Sequence, residues 1–198
     1  MCDTPQNTAA TSFSNTHSPA ASGSAASAAG KSTSDTSSFH KLSNKWTLWA
    51  HLPHDTDWTV NSYKNIYEFD TAEEAITITE MLPEKLVINC MLFIMRSGIM
   101  PIWEDPQNRN GGCFSYKVAN KDVHVAWKQL TYVLVGDTIS TNASIIPVIN
   151  GITISPKKNF CIIKIWLSNC KFNNASVIRE LDGIRPHGCL FKKHMPEY

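Results

Sequence analysis

Phe160-Cys161-Ile162-Ile163-Lys164-Ile165-Trp166-Leu167 reads as one strand with two unlike faces. Successive side chains of a strand point to opposite sides. Cys161, Ile163, Ile165 and Leu167 then form an apolar side, as a surface packed against helices requires. Phe160, Ile162, Lys164 and Trp166 form the other. A Lys and a Trp turned away from the helices can line a ligand wall. The same pattern also fits a half-exposed strand whose lysine snorkels to water.

Before it, Ile149–Ser155 reads as a partner strand, joined through the turn Pro156-Lys157-Lys158-Asn159. Lys45-Trp46-Thr47-Leu48-Trp49 alternates with period two, and Val87–Met95 is an apolar strand. Asn110-Gly111-Gly112 is a turn signal before a strand at Phe114–Val118, and Gly188–Lys193 closes as a short strand. Tyr63–Phe69 fits an extended or a helical piece. A helix starts near Asp70, where Thr71 and Glu74 have capping-box spacing, and ends near Met81 because Pro83 disfavours helix before it. Lys121–Val135 places Val123, Trp127, Leu130 and Leu134 on one face, with Gly136 as its stop. Ala175–Leu181 is a candidate third helix. Strands at hairpin spacing mixed with helices indicate an α+β class, with a mostly antiparallel sheet and helices on one face.

Composition narrows the function. The first 38 residues of the 198 are mostly Ser, Thr and Ala; the charged ones are Asp3, Lys31 and Asp35. Such a stretch buries too little to offset its ordering entropy, so 1–38 is expected to be a disordered arm and 39–198 the folded domain. A transit peptide fits less well, because the arm has no Arg. A formal net charge of +1 is not that of a protein that coats duplex nucleic acid through charge alone. No apolar run approaches the ~20 residues of a membrane span, and signal-peptide features are absent. The six cysteines show no C-x-x-C pair, so reduced thiols and no metal site are expected, in a cytoplasmic protein with the nucleus also open. Neither a phosphate-cradling Gly loop, a nucleophile motif nor a triad spacing among the seven histidines is visible. The expectation is no catalytic residues and no cofactor.

Two tryptophans carry the chemistry. Trp58 follows His54-Asp55-Thr56-Asp57, and Trp103 sits in Pro101-Ile102-Trp103-Glu104-Asp105-Pro106. Large rings in polar, Pro-bounded loops suit a flat partner, and stacking holds a base at roughly 1–3 kcal/mol. An ionised Glu104 only accepts hydrogen bonds. Guanine offers it two neighbouring donors, the ring N–H and the amino group; adenine offers no such pair. A positively charged base such as 7-methylguanine adds a cation–π contribution of about 0.5–2 kcal/mol. The bland alternative is a Trp at the domain edge beside a solvated Glu.

Several segments occur together in order: Lys45-Trp46-Thr47-Leu48-Trp49, Trp58, Phe69-Asp70-Thr71, Pro101-Ile102-Trp103-Glu104-Asp105, Asn110-Gly111-Gly112 and Ile163-Lys164-Ile165-Trp166. This arrangement closely resembles the eukaryotic cap-binding translation initiation factors, the four-E family, over about residues 40–190. The resemblance implies a strongly curved antiparallel sheet, about three helices on its convex face, and a concave slot for the 7-methylguanosine cap of mRNA. It implies Trp58 and Trp103 as the base sandwich, Glu104 as edge reader, Trp166 beside the methyl group and Lys157 as a phosphate contact. The family's further basic positions are Ile162 and Cys113 here, so Lys164 and Lys158 are the candidate substitutes. Lys192, Lys193 and His194 are candidates near the later phosphates. A dissociation constant on the order of micromolar follows if the base carries most of the affinity.

The family recruits its scaffold and repressor proteins on the helical face through a peptide with Tyr and Leu anchors. There this chain has Ile76 in place of a central Trp, with Ala72 one turn before it, Lys128 and Tyr132 on the second helix, and His40-Lys41-Leu42 for the family's His-Pro-Leu. The expected partners are capped mRNA and a scaffold or repressor with a non-standard motif, on a monomer with no membrane. Two readings stand: a cap-binding factor in translation initiation or its regulation, and a protein-interaction scaffold or cap-sequestering repressor.

Overall fold

In the computed structural model the described residues are 39–195. The arm read as disordered over 1–38 lies outside them. Seven strands form one sheet: β1 Lys41–His51, β2 Tyr63–Thr71, β3 Met91–Arg96, β4 Gly112–Ala119, β5 Ile149–Pro156, β6 Phe160–Leu167 and β7 Leu190–Lys193. Three α-helices accompany it: α1 Ala72–Met81, α2 Glu84–Asn89 and α3 Asn120–Val135. Strands lie in the order β2-β1-β3-β5-β6-β4-β7, and every pairing is antiparallel.

The expectation of a strongly curved sheet is corrected. The order runs in one line from β2 to β7, and the two edge strands do not pair, so the sheet is open. Strong bending needs bulges. The pairings β1–β3, β3–β5 and β4–β6 keep unbroken register, and shifts occur only in β1–β2 and β5–β6. The fold is α+β with an open antiparallel sheet, rather than a strongly curved one.

Two apolar clusters mark its two faces. Ile163, Ile165 and Leu167 of β6 pack with Leu48, Leu92, Ile94 and Ile152, against Ala75 of α1, Val87 of α2 and Val123, Trp127 and Leu130 of α3. This is the helix side. On the other side Phe93, Met95, Ile99 and Trp166 form a smaller cluster, with Trp49, Tyr63, Met91 and Trp103 against it. The parity read from β6 is therefore the parity of the sheet.

The capping box of α1 is present. The Thr71 side chain accepts from Glu74 N, and the Glu74 carboxylate accepts from Thr71 N at 3.2 Å. Two readings of local structure fail. Val87–Met95 is not one strand: Pro83 sits at the N-cap of α2, which carries Val87 into the core before β3 begins at Met91. Ala175–Leu181 is no α-helix; its only helical turn is the 3-10 turn Ala175–Val177, capped by Asn174. No helix among the described residues is long and apolar enough to cross a membrane.

Candidate nucleotide-binding site

Four separate segments meet on the face away from the helices. A cavity of about 310 Å³ is lined by Trp58, Tyr63, Met91, Phe93, Pro101, Ile102, Trp103, Glu104, Lys164 and Trp166. All four residues expected to hold the base, and Lys164 of the three expected at the phosphates, thus share one cavity.

Asp105 and Asn108 shape the loop that presents Trp103 and Glu104. The Asp105 carboxylate accepts from Met100 N at 2.9 Å and from Gln107 N at 2.8 Å. The Asn108 amide donates to the carbonyls of Met100 and Ile102, both at 2.9 Å. Asn150 of β5 donates to Asn108 Oδ1 at 2.9 Å and to Gln107 O at 2.8 Å, which ties the loop to the sheet. Asn108 is fully buried and Asp105 nearly so. Buried polar groups are costly unless paired, so this network fixes the loop. Glu104, one residue before Asp105, is exposed and has no hydrogen bond or ion pair among the described residues. Its charge faces Tyr63, whose hydroxyl is pushed above the usual phenol range by burial first and by Glu104 second.

Trp58 and Trp103 do not stack on each other. Each lies parallel to an imidazole: Trp58 on His51 at 4.2 Å between centroids and 6° between planes, Trp103 on His194 at 5.6 Å and 15°. His51 is buried in β1, and its Nε2–H donates to the Asp57 carbonyl at 2.8 Å, one residue before Trp58. Trp58 stays 60% exposed, so one face of its ring remains available to a ligand. Trp166 is almost wholly buried, and its indole N–H donates to Thr153 Oγ1 at 2.7 Å. Its ring is therefore a fixed wall, with His194 tilted against it at 4.8 Å.

The cations divide. Lys164 Nζ lies 5.9 Å and Lys192 Nζ 5.8 Å from the Trp103 ring centre. Burial holds the Lys164 ammonium below the ordinary lysine range, and the charges of Lys157 and Lys192 push the same way. Lys157 and Lys158 are exposed in the β5–β6 turn and line no part of the cavity. Cys113, where the family has a basic residue, is buried opposite Lys192 of β7 in the register.

Reading the sequence missed His51, Tyr63, Met91 and Phe93 as site residues. The parity of β1 holds a signal for His51, two residues after Trp49. His194 comes from beyond the last strand, and nothing in its neighbourhood in the chain points at Trp103.

On the helix side, Leu42, Ala72, Ile76 and Tyr132 line one apolar groove of about 310 Å³, with Ala75, Val135 and Gly136. His40 is bound to Glu73, 2.6 Å from its Nδ1. Lys128 forms an ion pair with Glu80, which also accepts from Tyr132 OH at 2.6 Å. No group of three or more His, Cys, Asp or Glu residues capable of holding a metal occurs among the described residues.

Solved structures share this fold. A schistosome eIF4E complexed with m7GpppG and a 4E-BP superimposes with a TM-score of 0.60 at 24% identity, covering 67% of this chain and 74% of that one. Caenorhabditis elegans eIF4E-3, in complex with Mextli and a cap analogue, gives 0.60 at 22% identity, covering 67% and 76%. At such identities the likeness speaks for the fold alone. Eukaryotic translation initiation factor 4E-2 of Schizosaccharomyces pombe is 30% identical over 155 residues, 74% of this chain and 60% of that protein. Isoform 4E of Capsicum annuum is 31% identical over 125 residues, 60% of this chain and 62% of that protein. The chain thus spans less than two thirds of the length of these curated relatives. The model of the family "Eukaryotic initiation factor 4E" matches residues 41–184, a span that includes Trp58, Trp103, Glu104 and Trp166. The chain belongs to the eukaryotic initiation factor 4E family.

Proposed function

We propose that this chain binds the 7-methylguanosine cap of mRNA and acts, without catalysis, in translation initiation or its regulation. The observation that carries the reading is the convergence of Trp58, Trp103, Glu104, Lys164 and Trp166 on one cavity, with the Glu104 carboxylate unpaired among the described residues. In the bound state the base lies between Trp58 and Trp103, Glu104 takes its ring N–H and amino group, and Trp166 meets the methyl group. Lys164 and Lys192 beside Trp103 are the better placed phosphate contacts, ahead of Lys157 and Lys158. Family membership supports the cap as ligand. The test is retention on a 7-methylguanosine resin with Glu104→Ala: the native chain is retained and the variant is lost, whereas unchanged retention of the variant removes Glu104 from the reading.

A second reading is a cap-sequestering repressor or interaction scaffold that does not recruit the usual scaffold protein. Ile76 in the helix-side groove and the Lys128–Glu80–Tyr132 cluster beside it favour this reading, since both change the surface a Tyr- and Leu-anchored peptide would meet.

A further inference from the structure

The ion pairs among the described residues sit toward one edge of the sheet. Lys41 pairs with Asp70, Lys45 with Glu68, Lys128 with Glu80 and His40 with Glu73. Toward the other edge Lys117, Lys157, Lys164, Lys192 and Arg185 form none.

Register staggers three of these cations along β4, Lys164 on its β6 side, Lys192 on its β7 side and Lys117 on β4 itself. On the face away from the helices, Cys113 lies between Trp166 of β6 and Lys192 of β7. Two residues along β4, Ser115 lies beside Lys164, and two further, Lys117 lies beside Ile162. At a strand rise of ~3.4 Å per residue, Lys117 is ~14 Å along β4 from the row of Trp166 and Lys192. Lys192, Lys164 and Lys117 therefore mark a path leading out of the slot. Phe160 continues it, with Lys117 Nζ 4.4 Å from its ring centre.

β7 pairs with β4 only as far as Ser115, so beyond that point the outer edge of β4 has no strand partner and faces the segment that precedes β7. A cavity of about 350 Å³ lies there, lined by Tyr116, Lys117, Gly183, Arg185, His187 and Gly188. Tyr116 is 3% exposed. Its hydroxyl is buried without a geometrically satisfied hydrogen bond, and the Cys189 thiol beside it is a weak partner. Arg185 also borders a cleft with Glu180 and Asp182, but makes no ion pair with either.

Cations interleaved with aromatic faces are the chemistry that holds single-stranded nucleic acid, the charges tracking phosphates and the rings meeting bases. We infer that the β4 edge is a second RNA site, at which Lys117, Arg185 and His187 hold the phosphodiester backbone of the nucleotides that follow the one in the slot. The direction of the path rests on the cap reading; the site at the edge does not. Lys117 and Arg185 are exposed, so replacing them leaves the core untouched.

The test compares the full chain with Lys117→Gln/Arg185→Gln, using a free cap nucleotide, a short capped oligoribonucleotide and the same oligoribonucleotide without its cap. The native chain binds the capped oligonucleotide more tightly than the free cap nucleotide. The variant keeps native affinity for the nucleotide and loses that advantage. Its plot of log K against log salt flattens by about 1.4, as expected when two phosphates of a single strand are no longer neutralised. Equal native affinity for oligonucleotide and free nucleotide, or an unchanged salt slope in the variant, overturns the site. If the cap nucleotide fails to bind at all, the cap reading falls. The uncapped oligonucleotide then decides the edge site by itself: binding that the variant loses supports it, and no binding, or binding the variant retains, overturns it.

Discussion

His194 joins the two fixed walls of the slot. Its Nδ1–H donates to the Asn108 carbonyl at 2.7 Å, its backbone N–H to Gly111 O at 3.0 Å, and its ring lies against Trp103 and Trp166. Nε2 is buried with no partner among the described residues, and Lys164 is the charge that faces the ring. Burial holds the imidazole below its ordinary value, with Lys164 adding to this and the Asn108 carbonyl opposing it. A histidine whose folded pKa is depressed binds fewer protons folded than unfolded. Its contribution is therefore complete above the unfolded value near ~6.5 and is lost as pH falls toward the folded one. Thermal unfolding followed from pH 7 downward is expected to lose stability through this window, and His194→Phe to flatten that acid limb. An identical acid limb in the variant rules out His194 as its source. His194 also illustrates what a sequence conceals: 86 positions separate it from Asn108, and only the paired edge of β7 brings them together. Trp103 and Glu104 were legible because a ring and a carboxylate stand out in a Pro-bounded loop, whatever the tertiary context.

Among the helices and strands, local signals succeeded where the chain's own chemistry decides and failed where packing does. Thr71 and Glu74 specify the start of α1 between themselves. The face of α3 follows from Val123, Trp127, Leu130 and Leu134, all buried as their spacing predicts. By contrast, Leu86-Val87-Ile88 is apolar enough for a strand, yet a turn of helix after Pro83 delivers Val87 to the core. Helix α1 carries a functional prediction too. Ile76 is 51% exposed at the rim of the groove with Leu42, Ala72 and Tyr132. An aromatic anchor at a peptide interface is typically worth 2 kcal/mol or more, about thirtyfold in affinity. A Tyr- and Leu-anchored scaffold peptide is expected to bind this chain weakly, and Ile76→Trp to tighten it by roughly that factor. Calorimetry with the peptide checks this; tight binding to the native chain contradicts it.

Over the described fold, the sheet separates two surfaces. The helix side holds the large core and the groove with Ile76; the opposite side holds the smaller aromatic cluster, the slot and lysines that form no ion pair among the described residues. The two-faced pattern of Phe160–Leu167 made this division legible. The shape of the sheet was not legible, because bending depends on bulges, and these follow from the pairing of two strands, as of β1 with β2, rather than from any one strand. The cations beside Trp103 were legible only in part. Lys164 was visible on its strand, while Lys192 reaches Trp103 only because β7 adds to the edge of β4. Recognition of a positively charged guanine between two indoles is what would unite the residues of the slot. Tryptophan fluorescence reads it directly, through quenching by 7-methylguanosine diphosphate compared with guanosine diphosphate on the same chain. Saturable quenching is expected with the methylated nucleotide, and binding to the unmethylated one is expected to be weaker by about 0.5–2 kcal/mol, the cation–π contribution. Equal affinity for the two would contradict recognition of the positive charge, and no quenching by either would contradict the sandwich.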